Sequence, residues 1–256
     1  MLYKMARYFI EISYKGTNYS GFQVQQNAET IQSKVENALQ IFYKQSFQLT
    51  CSSRTDAGVH AFQNFYHIDC DVALDKNTYN INALLPSDIV VKQIIPVSNN
   101  LHARFSGISR EYKYFITQQK NPFLTETAWR YQFTLNMEIL QTCANILKEY
   151  TDFTSFSKKH TQVNNFNCSI VVSRWLFENN CLVYNVKANR FLRGMVRGLV
   201  GTMLLAGRGI VSIDGFRKII EAKDCSKANF STPAHGLFLV EVVYPDDAFV
   251  TTKQPF

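Results

Sequence analysis

Ser52-Ser53-Arg54-Thr55-Asp56-Ala57-Gly58-Val59-His60 is a run of small, polar and charged residues between two apolar stretches, Phe47 to Ser52 and Ala61 to Cys70. A run of this kind between two strands is a loop that presents side chains. Arg54 and Asp56 are two residues apart, so on extended backbone they point the same way and can hold one another, while Gly58 permits close approach of a ligand. A lone Asp in a loop is ordinarily a turn former whose carboxylate bonds nearby amides. The chemistry open to this segment is acid or base catalysis, covalent attack or metal binding.

Outward from the loop, the apolar spacing predicts the rest of the first half. Tyr8, Ile10, Ile12 and Tyr14 alternate with Arg7, Phe9, Glu11, Ser13 and Lys15, the period of an opening strand that Gly16 ends. Ile31, Val35, Ala38, Leu39 and Phe42 have helical spacing, with Thr30 placed as N-cap. Further strands are expected at 47–52, 61–70 and 89–97. The second half predicts a strand at 111–117, a helix at 137–150, a hairpin of 170–177 with 182–188, helices at 191–205 and 213–222, and a last strand at 237–244. The expected fold is α+β, in two mixed domains spanning 1–103 and 104–256, with largely antiparallel sheets because strands outnumber crossover helices.

A chain of 256 residues that is 46% hydrophobic can bury a substantial core, which excludes a disordered or fibrous protein. No stretch approaches about eighteen uninterrupted apolar residues, and Lys4 and Arg7 stand near the start without the apolar run of a signal peptide. A cytoplasmic location without membrane association is the expectation. Cys51, Cys70, Cys143, Cys168, Cys181 and Cys225 are scattered, without the close pairs of zinc or redox sites, and read as reduced packing residues.

The formal charge of +7 suits a polyanionic partner. It is concentrated: Lys187, Arg190, Arg193, Arg197, Arg208, Arg217 and Lys218 face only Asp214 in that stretch. If 191–205 is helical, Arg190, Arg193 and Arg197 fall within roughly 60° of one another, with Gly194, Gly198 and Gly201 on or beside the same face. Glycines are poor helix formers, so the pattern predicts a cationic surface against which something large fits closely. Lys158, Lys159 and His160 form a second basic cluster, readable either as an RNA contact or as a solvated loop.

Metal binding at the first loop would draw on Asp56, His60, His67 and Asp69, but no His-x-x-x-His, Cys pair or carboxylate trio accompanies them, so no metal is expected. Ser53 lacks the glycine-flanked elbow of a nucleophilic serine. The loop, however, resembles the signature of the TruA family of tRNA pseudouridine synthases in Arg54-Thr55-Asp56-Ala57-Gly58-Val59-His60. Other segments resemble the family in order: Gly16-Thr17-Asn18-Tyr19 with Gly21-Phe22-Gln23, Leu85-Pro86-Ser87-Asp88-Ile89, His102-Ala103-Arg104-Phe105-Ser106, Arg110-Glu111-Tyr112-Lys113-Tyr114, Met195-Val196-Arg197 and Thr232-Pro233-Ala234-His235-Gly236-Leu237. Coverage runs from about residue 8 to 245. Phe22 stands where the family often has Trp, and Ser52-Ser53 replaces a small pair before the arginine.

The resemblance implies a pseudouridine synthase fold with its active-site cleft between the two domains. It also implies isomerisation of uridine at positions 38, 39 and 40 in the anticodon arm of tRNA by a homodimer. It implies Asp56 as the catalytic carboxylate, Arg197 as its ion-pair partner and Tyr112 as the platform under the displaced base. Arg54 would meet the RNA, as would Arg190, Arg193, Lys158 and Lys159 on their basic stretches. The reaction breaks the N1 to C1′ bond and rejoins the ring through C5, gaining and losing no atom overall, so it requires no cofactor. The rival readings are a non-catalytic RNA-binding or RNA-chaperone module, and a metal-dependent hydrolase built on Asp56, His60, His67 and Asp69.

Overall fold

The computed structural model describes residues 5–74, 78–159 and 163–249. Along the chain run β1 (Ala6–Tyr14), α1 (Ile31–Tyr43), β2 (Thr50–Cys51), β3 (His60–Cys70), α2 (Tyr79–Leu84), β4 (Ile89–Val97), β5 (Ser109–Thr117) and β6 (Trp129–Arg130). They are followed by α3 (Met137–Ile146), β7 (Ile170–Glu178), β8 (Cys181–Ala188), α4 (Met195–Gly207), α5 (Ile213–Glu221) and β9 (Leu237–Val243). The composition is mixed, with mostly antiparallel strand pairs, as an α+β reading requires. Two compact units are present: Met1–Ile108 with Leu239–Phe256, and Ser109–Phe238.

In the first unit the strands lie in the order β4-β1-β3-β9, with β2 on β3. The expected alternation in β1 is only half the story. Phe9, Ile10 and Ile12 are all fully buried, because β1 pairs on both edges and is covered on both faces. Glu11 is buried as well, and its carboxylate accepts hydrogen bonds from Gln63 and Gln93 and meets Lys92, as a buried charge needs. Helix α1 begins where Thr30 predicts: Thr30 Oγ1 accepts from the Ser33 amide while Ser33 Oγ accepts from the Thr30 amide. It ends at Lys44 in the left-handed conformation.

The sequence reading divided the chain once, near residue 103, whereas the first unit also takes in the C-terminal segment. Tyr244 and Phe249 pack edge-on and stacked against Phe9 and Phe65, and Val243 O accepts from the Ile108 amide. A strand's own residues carry its period but not the address of its partner.

In the second unit the order is β5-β8-β7, with the short β6 running parallel to β5. The β7–β8 hairpin turns at Asn179 and Asn180, both at positive φ, a conformation Asn tolerates better than most residues. Helix α3 starts on an Asn136 cap and closes in a 3-10 turn, Leu147–Glu149, shorter than the helix expected to residue 150. Gly207, at the end of α4, lies so near α3 that a Cβ there would stand 2.8 Å from Leu140 Cδ2.

Candidate active site

The loop of residues 52–59 leaves β2 and enters β3, which pairs with β1 and β2, and several of its backbone groups have partners. Ser52 donates its amide to Phe65 O (2.8 Å) and its hydroxyl to Asn64 Oδ1 (2.8 Å), while Asn64 Nδ2 donates to Ser53 O (3.0 Å). Thr55 faces inward, its hydroxyl 2.8 Å from Tyr14 OH. The Val59 amide donates to Asp56 O (3.2 Å), and Gly58 takes φ +78°, so the glycine is demanded by the turn itself.

A second loop, 16–22, locks onto the first. The Gly16 amide donates to His60 Nδ1 (3.0 Å) and the Phe22 amide to Thr55 O (3.1 Å). A Cβ at Gly16 would stand 2.0 Å from Val59 O, and one at Gly21, where φ is +95°, 3.2 Å from Thr55 O. Phe22 is buried and stacks on Tyr66, 4.9 Å between centroids, so the aromatic at this position is a core residue that presses the two loops together. Between these fixed neighbours Asp56 is half-buried and Arg54 exposed. The Cys51 thiol at the root of the loop is pushed up by burial, opposed by the guanidinium of Arg54 and more weakly by that of Arg104.

Three of the four donors of the metal reading serve separate contacts. Asp69 forms a two-pronged pair with Arg7 at 2.7 Å, His60 Nδ1 accepts from Gly16, and His67 Nδ1 accepts from the Ala103 amide (3.1 Å). Among the described residues no three metal-ligating side chains converge. His67 is pushed down to about 4, first by burial and then by Arg7 and His102, from an ordinary value near 6.5. The folded state therefore binds fewer protons than the unfolded chain between those values, and the stability this group contributes is complete above about pH 6.5 and lost as the pH falls towards 4. The thermal midpoint is expected to decline over that window, and less steeply in His67→Asn. Equal slopes in the two proteins, followed by scanning calorimetry, would remove His67 as a cause.

In the second unit Tyr112 and Tyr114 lie on the same face of β5. Tyr112 is buried edge-on against Phe191 at 5.0 Å. Tyr114 is buried, donates its hydroxyl to Pro233 O (2.8 Å), and is pushed well up by burial, with Arg197 opposing. Arg197 is half-buried, and its Nε donates to Thr232 O (2.7 Å) while Thr232 Oγ1 donates back to Arg197 O (2.6 Å). Thr232 and Pro233 thus aim both Arg197 and Tyr114. Sequence reasoning noted their segment without giving them that role, because both bonds span residues far apart in the chain.

The expected arginine helix is corrected. Helix α4 starts at Met195, after Gly194 at φ +74°, so Arg190 and Arg193 precede it and share no helical face with Arg197. The glycine face is not an open surface either. A Cβ at Gly198 would meet Phe230 at 2.8 Å, and one at Gly201 would meet Asn229 O at 2.3 Å. Segment 229–232 of the same chain is the large object that fits there, and Thr202 Oγ1 accepts from the Asn229 amide (3.0 Å) to hold it. Helix α4 is accordingly buried nearly all round.

Three of the concentrated charges are engaged with local partners. Lys187 faces Glu111 (3.8 Å), Arg217 grips Glu149 (2.6 Å) and Arg208 lies over the Phe133 ring (3.6 Å). Arg193 is exposed, and its carbonyl accepts from the Lys158 amide (3.0 Å), while the Lys158 stem covers Gly194. Lys158 and Lys159 border a cavity of about 330 Å³ with Thr154, Phe166, Lys223 and Asp224. Lys223 is tied there to Asp152 (2.9 Å). His160, the third member of that cluster, lies outside the described residues.

Residues 11–106 and 150–245 match the family model described as tRNA pseudouridine synthase. The tRNA pseudouridine synthase A of Parabacteroides distasonis is 44% identical over 248 residues, 96% of this chain and 98% of that one. That of Porphyromonas gingivalis is 45% identical over 252 residues, 96% and 100% of the two chains. That of Bacillus subtilis is 36% identical over 239 residues, 91% and 97%. With both the Asp56 loop and the Arg197 segment inside the matched ranges, the chain belongs to the tRNA pseudouridine synthase family.

Proposed function

We propose that this chain isomerises uridine to pseudouridine in tRNA, at positions 38, 39 and 40 of the anticodon arm, with Asp56 as the catalytic carboxylate. The observation that carries the reading is the double lock on the Asp56 loop, in a chain of this family: Gly16, with no room for a methyl group, and Gly21, at φ +95° and close to Thr55 O, fix the backbone that carries an acidic residue. Preorganised placement of this kind is what a carboxylate needs to attack a sugar or base carbon, or to remove a sugar proton.

Arg197 would hold the carboxylate ionised, and its Thr232 clamp supports that role by leaving the guanidinium aimed rather than loose. Tyr112 would receive the base once it leaves its stack. Arg54, Arg190, Arg193, Lys158 and Lys159 would meet phosphates, giving salt-dependent affinity. The enzyme would work as a homodimer in the cytoplasm. No helix among the described residues is long and apolar enough to cross a membrane.

In each route the N1 to C1′ bond breaks, the uracil turns, C5 joins C1′, and the C5 hydrogen leaves to solvent while N1 gains one. Incubation with tRNA carrying tritium at uracil C5 is therefore expected to release label, undiminished by chelator. Binding without release would favour the non-catalytic RNA-binding module, and full activity in chelator would exclude the hydrolase reading.

A further inference from the structure

Phe105 is 75% exposed, yet the loop that carries it is among the most heavily tied in the first unit. The His102 amide donates to Ser106 Oγ and the Ser106 amide donates back to His102 O, both at 2.9 Å. His102 Nδ1 accepts from the amides of Arg104 (3.1 Å) and Phe105 (3.4 Å). Beneath it the Ala103 amide donates to His67 Nδ1, and Tyr244 OH donates to Ala103 O (2.6 Å). The His102 ring rests edge-on against His67 at 4.6 Å and supports the Phe105 ring from 4.4 Å. A large apolar ring is thus held out into solvent by a backbone that cannot relax to bury it.

The surroundings say what the ring is for. The Arg104 guanidinium stands over it at 5.6 Å, which puts a cation beside an aromatic face. The loop rests on His67, which pairs with Thr50 beside Cys51 at the root of the loop that carries Arg54 and Asp56, so the ring belongs to the neighbourhood of that loop. An apolar protein partner would be poorly matched by two arginines, whereas an unpaired nucleotide offers a π-face to the ring and a phosphate to the cations.

Resting on the tRNA reading above, we infer that Phe105, backed by His102 and flanked by Arg104, is a stacking platform for an unpaired base of the substrate RNA. It positions RNA and takes no part in the bond changes.

Two measurements test it. Phe105→Ala is expected to raise KM for tritium release roughly tenfold, the effect of one base–aromatic contact, with kcat little changed, and Phe105→Trp to recover most of the loss. Separately, tRNA added to Phe105→Trp should quench its emission beyond the change seen in wild type, whose own tryptophans are Trp129 and Trp175. An unchanged KM in folded Phe105→Ala overturns the inference. If that variant does not fold, the absence of extra quenching at saturating tRNA overturns it instead. A shift in oligomeric state on gel filtration with tRNA affinity unaltered would assign the ring to a second copy of the chain and also overturn it. Should wild type release no tritium, the quenching arm still decides whether Phe105 meets RNA, so the two readings fail separately.

Discussion

Asp56→Ala is expected to abolish release of C5 tritium from tRNA, a loss on the order of 10³-fold or more, with tRNA affinity and thermal midpoint near those of wild type. The loop geometry predicts the separation of effects. Its backbone is set by the Thr55 hydroxyl, the Ser52–Asn64 bonds, the Asp56 carbonyl and the two glycine approaches. Asp56→Asn, which keeps the shape and removes the charge, is expected to lose as much. An Asn variant turning over at an ordinary rate in the same tritium assay would show that the ionised group is not what the reaction needs.

Gly16→Ala is expected to be the most damaging single methyl group in the first unit. The added carbon would fall 2.0 Å from Val59 O, with Val59 C at 2.8 Å, and both are backbone atoms that no rotamer change can move. Overpacking costs about 1–3 kcal/mol in ordinary cores and more where backbone must shift. In a chain of this size each kcal/mol lowers the thermal midpoint by roughly 2–4 °C. Activity is expected to fall with stability, since moving Val59 moves the turn it makes with Asp56 and breaks the bond from Gly16 to His60. Calorimetry and tritium release on one preparation check this, and an unchanged midpoint would mean that the two loops are not locked as described.

Much of the candidate site was legible in the residues. The bounds of β1, α1, β3, β4, the hairpin and β9 follow from period and punctuation, and the Thr30 cap was readable from its place before the first apolar position. The Asp56 loop announced itself as polar sequence between two strands. Less was legible wherever a residue's meaning depends on what lies across from it. Gly198 and Gly201 read equally well as room for RNA or room for the chain itself, and only the packing of 229–232 decides. Phe105 looked like one residue of a motif, and its exposure above a tied loop was invisible.

By itself the sequence determined the family, the α+β composition and the acidic loop, because period, capping and turn chemistry are properties of neighbours in the chain. Tertiary structure alone decided that Arg190 and Arg193 lie off the helix that carries Arg197, that Thr232 aims Arg197, and that the chain from Leu239 onward joins the first unit. Those outcomes rest on contacts between segments distant in the chain, where shape and hydrogen-bond partners are settled only by packing.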